Sequence, residues 1–173
     1  PIQLASRKGH VEIVKILLAD SRVDPSSIAN YAIHWASVNG HAHVVKLLLT
    51  DSRVDPSAND NNAIWGAFCN DHVDVVELLL KDYRIDPSAM ENYAIQWASR
   101  NGHENIVKML LEDTRVDPSA NDSNSILWAS CNGHAKVVEI LLADSRVNPC
   151  AKDNCAIQWA SGNGHLNVVK LLL

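Results

Sequence analysis

The chain has 173 residues, of which 47% are hydrophobic and 20% are charged, so its composition is that of an ordinary globular protein. A formal net charge of −5 argues against a nucleic-acid-binding protein, which would carry a basic face. No apolar run approaches the length of a membrane span and no signal-like segment opens the chain, so a membrane partner is not expected either.

The predicted elements are six short helix pairs. The clearest pair lies within YAIQWASRNGHENIVKMLLED, residues 93–113, where two apolar-periodic stretches flank Gly102. Ile95 and Ala98 are three residues apart, and Ile106 and Leu110 are four apart, which indicates an apolar stripe on each helix rather than the alternation of a strand. In chain order the pairs are predicted at residues 2–18, 33–49, 64–80, 95–111, 126–142 and 157–173.

The pairs recur every 31 residues. One histidine marks the same turn in each: His10, His41, His72, His103, His134 and His165. Such a period predicts a solenoid in which each unit packs only on its neighbours, and helices of about two turns need that cover because they are unstable alone. The columns of Ile33, Ala36, Val45, Leu48 and Leu49 are identical in all six units and form the predicted core.

The connections between pairs also have fixed columns. Asp51, Arg53, Val54 and Pro56 are one example, and the apolar residue is predicted to tuck under the loop. The recurring Asp and Arg predict a charge ladder along one edge, unless each is merely solvated. Because exposed ion pairs contribute only about 0–1 kcal/mol, the ladder would mainly set the register.

Taken together, these residues resemble the ankyrin repeat. Its pattern runs T-P-L-H-x-A-A, then G-H, then V-V-x-L-L-L. Nine positions of the fourth pair fall on it in register: Ile95, Ala98, Gly102, His103, Ile106, Val107, Met109, Leu110 and Leu111. The match covers the whole chain and is most similar to the 31-residue ankyrin arrays of large DNA viruses and some protists. The usual period is 33, and the proline before the first helix and the glycine after the second are absent here, which puts the loop shape in question.

The resemblance implies an all-α ankyrin-repeat solenoid that serves as a protein-interaction scaffold, with a protein partner held on the concave face of loop tips and first helices. Four variable columns lie in those places, although second-helix columns also vary. The expected partner-binding residues are Asn59, Met90, Asn121 and Lys152 at the tips; Asp60, Glu91, Asp122 and Asp153 beside them; His34, Trp65, Gln96 and Leu127 in the first helices; and Val38, Cys69, Arg100 and Cys131 at the helix ends.

An enzyme is not expected, and no cofactor or metal is predicted, because no nucleophile–base pair, phosphate loop or metal cluster is recognisable. The histidine column could suggest a metal or catalytic site. However, neighbouring histidines lie a whole unit apart without a second ligand type, so each is expected to be buried and to tie its turn to the next unit's backbone.

The competing functional hypothesis is a structural protein whose copies associate end to end into filaments or particle-associated arrays, since both ends show an apolar unit face. The chain begins and ends inside a unit, so we expect it to be a segment of a longer array. Cys69 and Cys131 share a column two units apart, too far for a disulfide, whereas Cys150 and Cys155 could meet. Free thiols are expected, and with them an intracellular, cytoplasmic location.

The third pair departs from the pattern. Tryptophan fills one column, at Trp35, Trp97, Trp128 and Trp159, as a ligand-stacking surface or, on the strength of its repetition, as packing between units. Gly66 stands in that column, Phe68 in the serine column and Asp71 at the turn glycine. We predict that Phe68 packs into the space left at Gly66, and that Trp65 is more exposed than Trp97 or Trp128.

Overall fold

The computed structural model describes residues 1–173 and contains twelve α-helices and no β-strand. This confirms the all-α prediction. The chain divides into two units, Pro1–Asp86 and Pro87–Leu173, with six helices each. The helices of the first unit are α1 Ile2–Arg7, α2 Val11–Ala19, α3 Ser27–Val38, α4 Ala42–Leu49, α5 Ala58–Cys69 and α6 Val73–Leu80. Those of the second are α7 Ala89–Asn101, α8 Glu104–Glu112, α9 Ala120–Cys131, α10 Ala135–Leu142, α11 Ala151–Gly162 and α12 Leu166–Leu172.

Each unit has two layers of helices. In the first unit α1, α3 and α5 stack in one layer, and α2, α4 and α6 stack in the other. In the second unit α7, α9 and α11 form the first layer, and α8, α10 and α12 form the second. Each pair packs its own two helices across the layers, so the apolar stripe of every helix faces either its partner or a neighbouring pair.

The predicted core columns lie between the layers. Ile33, Ala36, Val45 and Leu48 are all at most 1% exposed, as predicted. Leu49 is only half-buried, so its place in the predicted core is wrong. Successive helical residues point about 100° apart, and with Leu48 facing the core its neighbour turns toward the edge.

Except for α1, which begins at residue 2 as predicted, the first helices begin six residues before the predicted start, at residue 27 in the second pair instead of residue 33. This extension is a single turn at residues 28–30, and all three residues have left-handed backbone angles near φ 55° and ψ 47°, as in Ile28 with φ 56° and ψ 51°. The backbone N–H of Asn30 closes the turn on the carbonyl of Ser26 at 2.8 Å. The same turn recurs at residues 59–61, 90–92, 121–123 and 152–154.

In four of the six pairs the turn places a glycine against a histidine of the following pair. Gly102 has φ 76°, a left-handed backbone that favours glycine, and a Cβ there would lie only 2.7 Å from Nδ1 of His134. Nε2 of His134 lies 2.9 Å from the carbonyl oxygen of Arg100 and donates to it, because a carbonyl only accepts. His41, His72 and His165 make the same bond.

Two parts of the histidine prediction are therefore wrong. The side chain bonds the preceding pair, not the next one, because the ring lies over the glycine that ends the preceding first helix. The rings are also half-buried or, at His10, exposed instead of buried.

The connections are held by an arginine clamp. Arg84 donates to both carboxylate oxygens of Asp82, at 2.8 and 2.6 Å, and this hydrogen bond is the main reason that the pKa of Asp82 is lowered. Its Nη1 also donates to the carbonyl of Val54 in the preceding connection at 2.7 Å. Arg53 and Arg146 make equivalent contacts. Neighbouring connections are thus linked by hydrogen bonds from a guanidinium to a backbone carbonyl. Each Asp–Arg ion pair of the predicted ladder lies within a single connection.

The apolar residue of the connection tucks under the loop, as predicted. Val54 and Ile85 are each 1% exposed, and Val116 is 2% exposed. These connections therefore have a buried apolar side chain and an arginine that bonds the preceding connection. Together the two contacts fix the position of the exposed tips.

Candidate functional site: the tips and first helices

The predicted tip residues all lie on the surface. The exposed positions are Asn59, Asp60, Met90, Glu91, Asn121, Asp122, Lys152 and Asp153. Met90 is 60% exposed, and Ile28, its equivalent in the first connection, is 69% exposed. A left-handed backbone is unfavourable for such side chains, so the turn must be held from outside.

A buried side chain on the same turn supplies that support. Asn30 is 8% exposed, and its Oδ1 accepts the backbone N–H of Asp55 in the next connection at 2.8 Å. Asn92 does the same for Asp117 at 2.7 Å. In these two turns the third residue is held in this way, so the first two residues are presented outward in a defined conformation.

The predicted first-helix column is split between surface and interior. His34 is half-buried, with Nδ1 3.2 Å from the carbonyl oxygen of Asn62. Leu127 is also half-buried. Gln96 is only 6% exposed, and its Nε2 donates to the carbonyl of Glu91 at 2.8 Å within its own helix. Gln96 therefore offers little surface to a partner in this structure, contrary to what its column suggested.

Trp65 and Phe68 form an edge-to-face pair with ring centroids 5.4 Å apart. Phe68 is 1% exposed, as its predicted inward packing requires. The space at Gly66 is filled differently, since a Cβ there would lie 2.6 Å from Cγ2 of Val38. Trp65 is half-buried, in the same class as Trp97 and Trp128, so the structure does not set it apart as the more exposed ring.

The ends of the first helices contact the tryptophan column of the following pair. The guanidinium carbon of Arg100 lies 4.8 Å from the ring centroid of Trp128, and that of Arg7 lies 4.6 Å from the centroid of Trp35. Both distances fall within the range of cation–π attraction. The tryptophans are half-buried at these contacts, so the column combines packing between pairs with an accessible ring surface.

A cavity of about 220 Å³ opens between α9 and α11. Leu127, Trp128, Cys131 and Trp159 line it, and we call it the 131–159 pocket. The structure thus brings two of the predicted binding residues, Leu127 and Cys131, together with two rings of the tryptophan column. Trp159 is 53% exposed. An apolar concavity lined by aromatic rings is the kind of place where interface anchors bind.

The sequence columns did not reveal this pocket, although the sequence contains a signal for it. Helix-end residues in several pairs contact the residue 28 positions later, as Arg7 contacts Trp35 and Val38 contacts Gly66. Comparing residues at that offset would have drawn attention to Cys131, where a short side chain precedes Trp159, and equally to Cys69, which precedes Trp97 by the same offset.

The four cysteines are free, and no three His, Cys, Asp or Glu side chains converge as metal ligands would. The histidine ring nitrogens described above bond backbone carbonyls. The site is therefore a surface of exposed tips, half-buried rings and one apolar pocket.

Comparison with known proteins agrees with this architecture. A family model described as ankyrin repeats, in three copies, matches residues 2–91, 33–122 and 95–173. The chain belongs to the ankyrin-repeat family. Ankyrin repeats are generally protein–protein interaction modules and are typically not catalytic.

Solved ankyrin-repeat structures have the same fold. The human ASB11 ankyrin repeat domain superposes with a TM-score of 0.78 at 18% identity, covering 99% of this chain and 81% of that one. An ankyrin repeat domain from Acinetobacter baumannii AYE superposes with a TM-score of 0.80 at 20% identity, covering 99% and 95%. At these identities the likeness concerns the fold alone. No curated protein matches the chain.

The twelve helices are short, and not one has both the length and the apolar character needed to cross a membrane.

Proposed function

We propose that this ankyrin-repeat chain is a protein-interaction module, and that its partner binds to the tips and first helices. The observation that carries the proposal is the 131–159 pocket, because it lies among predicted binding residues and offers two tryptophan rings as anchors. Tryptophan and arginine dominate the binding energy of many protein interfaces, and both occur here in contact, as Arg100 and Trp128.

The tips supply the second part of this surface. In the second unit Met90 is 60% exposed and Tyr93 is 44% exposed, with the acidic side chain of Glu91 between them. An apolar and aromatic pair on a conformationally fixed turn loses little entropy on binding. The tips therefore extend the contact area beyond a single pocket.

The proposal contains no catalytic step. Nε2 of His41 and of His134 donates to a backbone carbonyl, and Nδ1 of each ring lies against the turn glycine of the preceding pair. Their recurrence is accounted for by packing against the turn glycine of the preceding pair.

Ligands selected from a random peptide display library against the whole chain would test the binding face. One variant would replace Met90, Leu127 and Trp159 with Ala on the tips and first helices. A control variant would replace Glu104, Lys108 and Lys136 with Ala, all exposed on α8 and α10. We expect the first variant to weaken binding by at least about tenfold, and the control to change it by less than about twofold.

The opposite result, with the larger loss in the α8 and α10 variant, would assign the binding face to the second helices and overturn the proposal. End-to-end assembly of copies stays a separate prediction. Measuring the mass of the chain by light scattering over a wide concentration range tests it, since open association raises the mass continuously.

A further inference from the structure

Arginine side chains stack on two rings of the tryptophan column. Arg7 lies over Trp35 and Arg100 lies over Trp128, with guanidinium carbons 4.6 and 4.8 Å from the ring centroids. In each case the arginine ends one first helix and the tryptophan lies 28 residues later, in the first helix of the following pair. The same intramolecular contact is therefore built twice, once in each unit.

Trp159 occupies the equivalent position in α11, but the residue 28 positions before it is Cys131. A thiol is shorter than an arginine side chain and carries no positive charge at neutral pH. The 131–159 pocket, about 220 Å³ in volume, is found at this place. Cys131 does not close it, and its Sγ lies 3.6 Å from Nδ2 of Asn163.

Both helices that line the pocket begin at a tip with an exposed carboxylate. The tips at the beginnings of α9 and α11 carry the exposed carboxylates of Asp122 and Asp153. Lys152, the cation on the same tip, donates to Oδ1 of Asn124 at 2.8 Å. Arg100 is stacked on Trp128. With a net charge of −5, the chain as a whole also attracts a basic segment at long range.

We propose that the 131–159 pocket takes an arginine side chain from the partner protein, whose guanidinium stacks on Trp159 as Arg7 stacks on Trp35. This proposal rests on the interaction function and specifies its partner as a segment with an accessible arginine. Arginine is favoured over lysine because a planar, weakly hydrated guanidinium stacks on an indole, whereas an ammonium is compact and strongly hydrated.

The probe is the pentapeptide Gly-Gly-Arg-Gly-Gly, with citrulline, lysine and leucine versions. Citrulline keeps the shape of arginine without its charge. Binding is followed through the indole N–H resonance of Trp159 in the ¹⁵N-labelled chain, assigned from its loss in Trp159→Phe. We expect the arginine peptide to shift this resonance saturably, with an affinity at least about tenfold above that of the citrulline peptide.

Substitutions at two cysteines separate filling the pocket from adding charge. Cys131→Arg should place an internal guanidinium on Trp159 and reduce peptide binding by at least about tenfold. Cys150→Arg adds the same charge at an exposed position outside the pocket and should leave binding within about twofold. Cys131→Ala keeps the pocket open and should retain binding, which shows that the loss in Cys131→Arg does not come from losing the thiol.

Three results would overturn the proposal: equal binding of the citrulline peptide, tighter binding of the leucine peptide, or an undiminished shift in Cys131→Arg. The interaction function is tested apart from this. If library-selected ligands depend on the first-helix face but tolerate replacement of each arginine by citrulline, the arginine assignment fails and the interaction function stands. If the selected ligands instead lose binding when the exposed residues of α8 and α10 are replaced, the assignment of the binding face is wrong.

Discussion

The α3–α5 contact in the first unit and the α7–α9 contact in the second occupy the same place in the repeat but are filled in opposite ways. In α7–α9 the long cation of Arg100 covers the large ring of Trp128. In α3–α5 a methyl group of Val38 takes the space directly beside the bare backbone of Gly66. The side chains of residues 28 positions apart are therefore matched in size. The helix-end column and the tryptophan column have to be interpreted together.

The two contacts also differ at the next buried position. Phe68 in α5 is equivalent to Ser130 in α9, and both are at most 1% exposed. In α9 the large apolar side chain is Trp128. In α5 the equivalent position is Gly66, and part of the missing apolar volume is supplied by Phe68, two residues later. Substitutions at these positions test this interpretation.

Phe68→Ala should have the largest effect. A fully buried phenylalanine cut back to alanine costs about 3–5 kcal/mol of unfolding free energy, because the lost burial adds to the cavity left behind. Urea unfolding followed by circular dichroism measures it. A loss below about 1 kcal/mol would mean that Trp65, whose ring centroid lies 5.4 Å away, refills the space.

Gly66→Ala should destabilise the chain by about 1–3 kcal/mol, because its Cβ would overlap a branched, stiff Val38 side chain. Without that overlap the same change in a helix would stabilise by about 0.5–1 kcal/mol. In a Val38→Ala background Gly66→Ala should therefore become neutral or favourable, a coupling that a double-mutant cycle measures.

Gly162 provides the matched control, since it also lies in a first helix and a Cβ there would have no atom within 4 Å. Gly162→Ala should be neutral or stabilising by up to about 1 kcal/mol. Additive effects of Gly66→Ala and Val38→Ala would contradict the proposed pairing at 28 residues.

The core was predictable because it repeats. Ile33, Ala36, Val45 and Leu48 keep both their identity and their helical spacing in all six units, and all four are buried. The left-handed turn was not predictable, because Ile28 and Met90 are residues that disfavour positive φ. At Asn30 and Asn92 the turn is held by a bond to the next connection, a contact between repeats that no periodicity within one repeat reveals.

The candidate surface was predictable only in part for the same reason. The tip residues Met90 and Asn121 are exposed, as their variable columns suggested. Gln96 is buried, and its amide donates to the carbonyl of Glu91 in the unexpected turn before it, a contact that its column did not predict. The 131–159 pocket is formed by residues of two adjacent repeats. A column contains one equivalent position from every repeat, so it does not show which residues of neighbouring repeats meet.

The arginine clamp is the part that both units share, and its strength should depend on pH. The side-chain hydrogen bond from Arg84 lowers the pKa of Asp82 in the folded chain. The stabilisation is therefore present above the unfolded pKa of about 4 and is lost as the pH falls through the lower folded value. Asp82→Asn should cost about 1 kcal/mol at pH 7, and the gap from wild type should close below about pH 4.

Asp144→Asn in the second unit is the matched comparison. The pKa of Asp144 is also lowered, chiefly by its hydrogen bond from Arg146. Arg146 is 40% exposed against 25% for Arg84, so solvent screens it more and the loss should be smaller. A gap between wild type and Asp82→Asn that widens on acidification would show that Asp82 does not act through its charge.

Ser130→Ala should have the smallest effect, in the favourable direction. Ser130 is fully buried and its Oγ has no hydrogen-bond partner, as is also true of Ser6, Ser37 and Ser99. A buried polar group without a partner costs folding free energy, so removing the hydroxyl should leave stability unchanged or raise it by up to about 1 kcal/mol. The equivalent position holds a phenylalanine in α5, which shows that it accepts an apolar side chain.

Ser125→Ala in the same helix is the control, because Ser125 is equally buried but its Oγ donates to the carbonyl of Pro118 at 2.8 Å. Losing that bond should cost about 1 kcal/mol. Thermal unfolding of both variants separates the two cases, since burial and the change of residue are the same and only the partner differs. If Ser130→Ala costs as much as Ser125→Ala, the hydroxyl contributes to holding α9, and α5 and α9 differ in polarity as well as in volume.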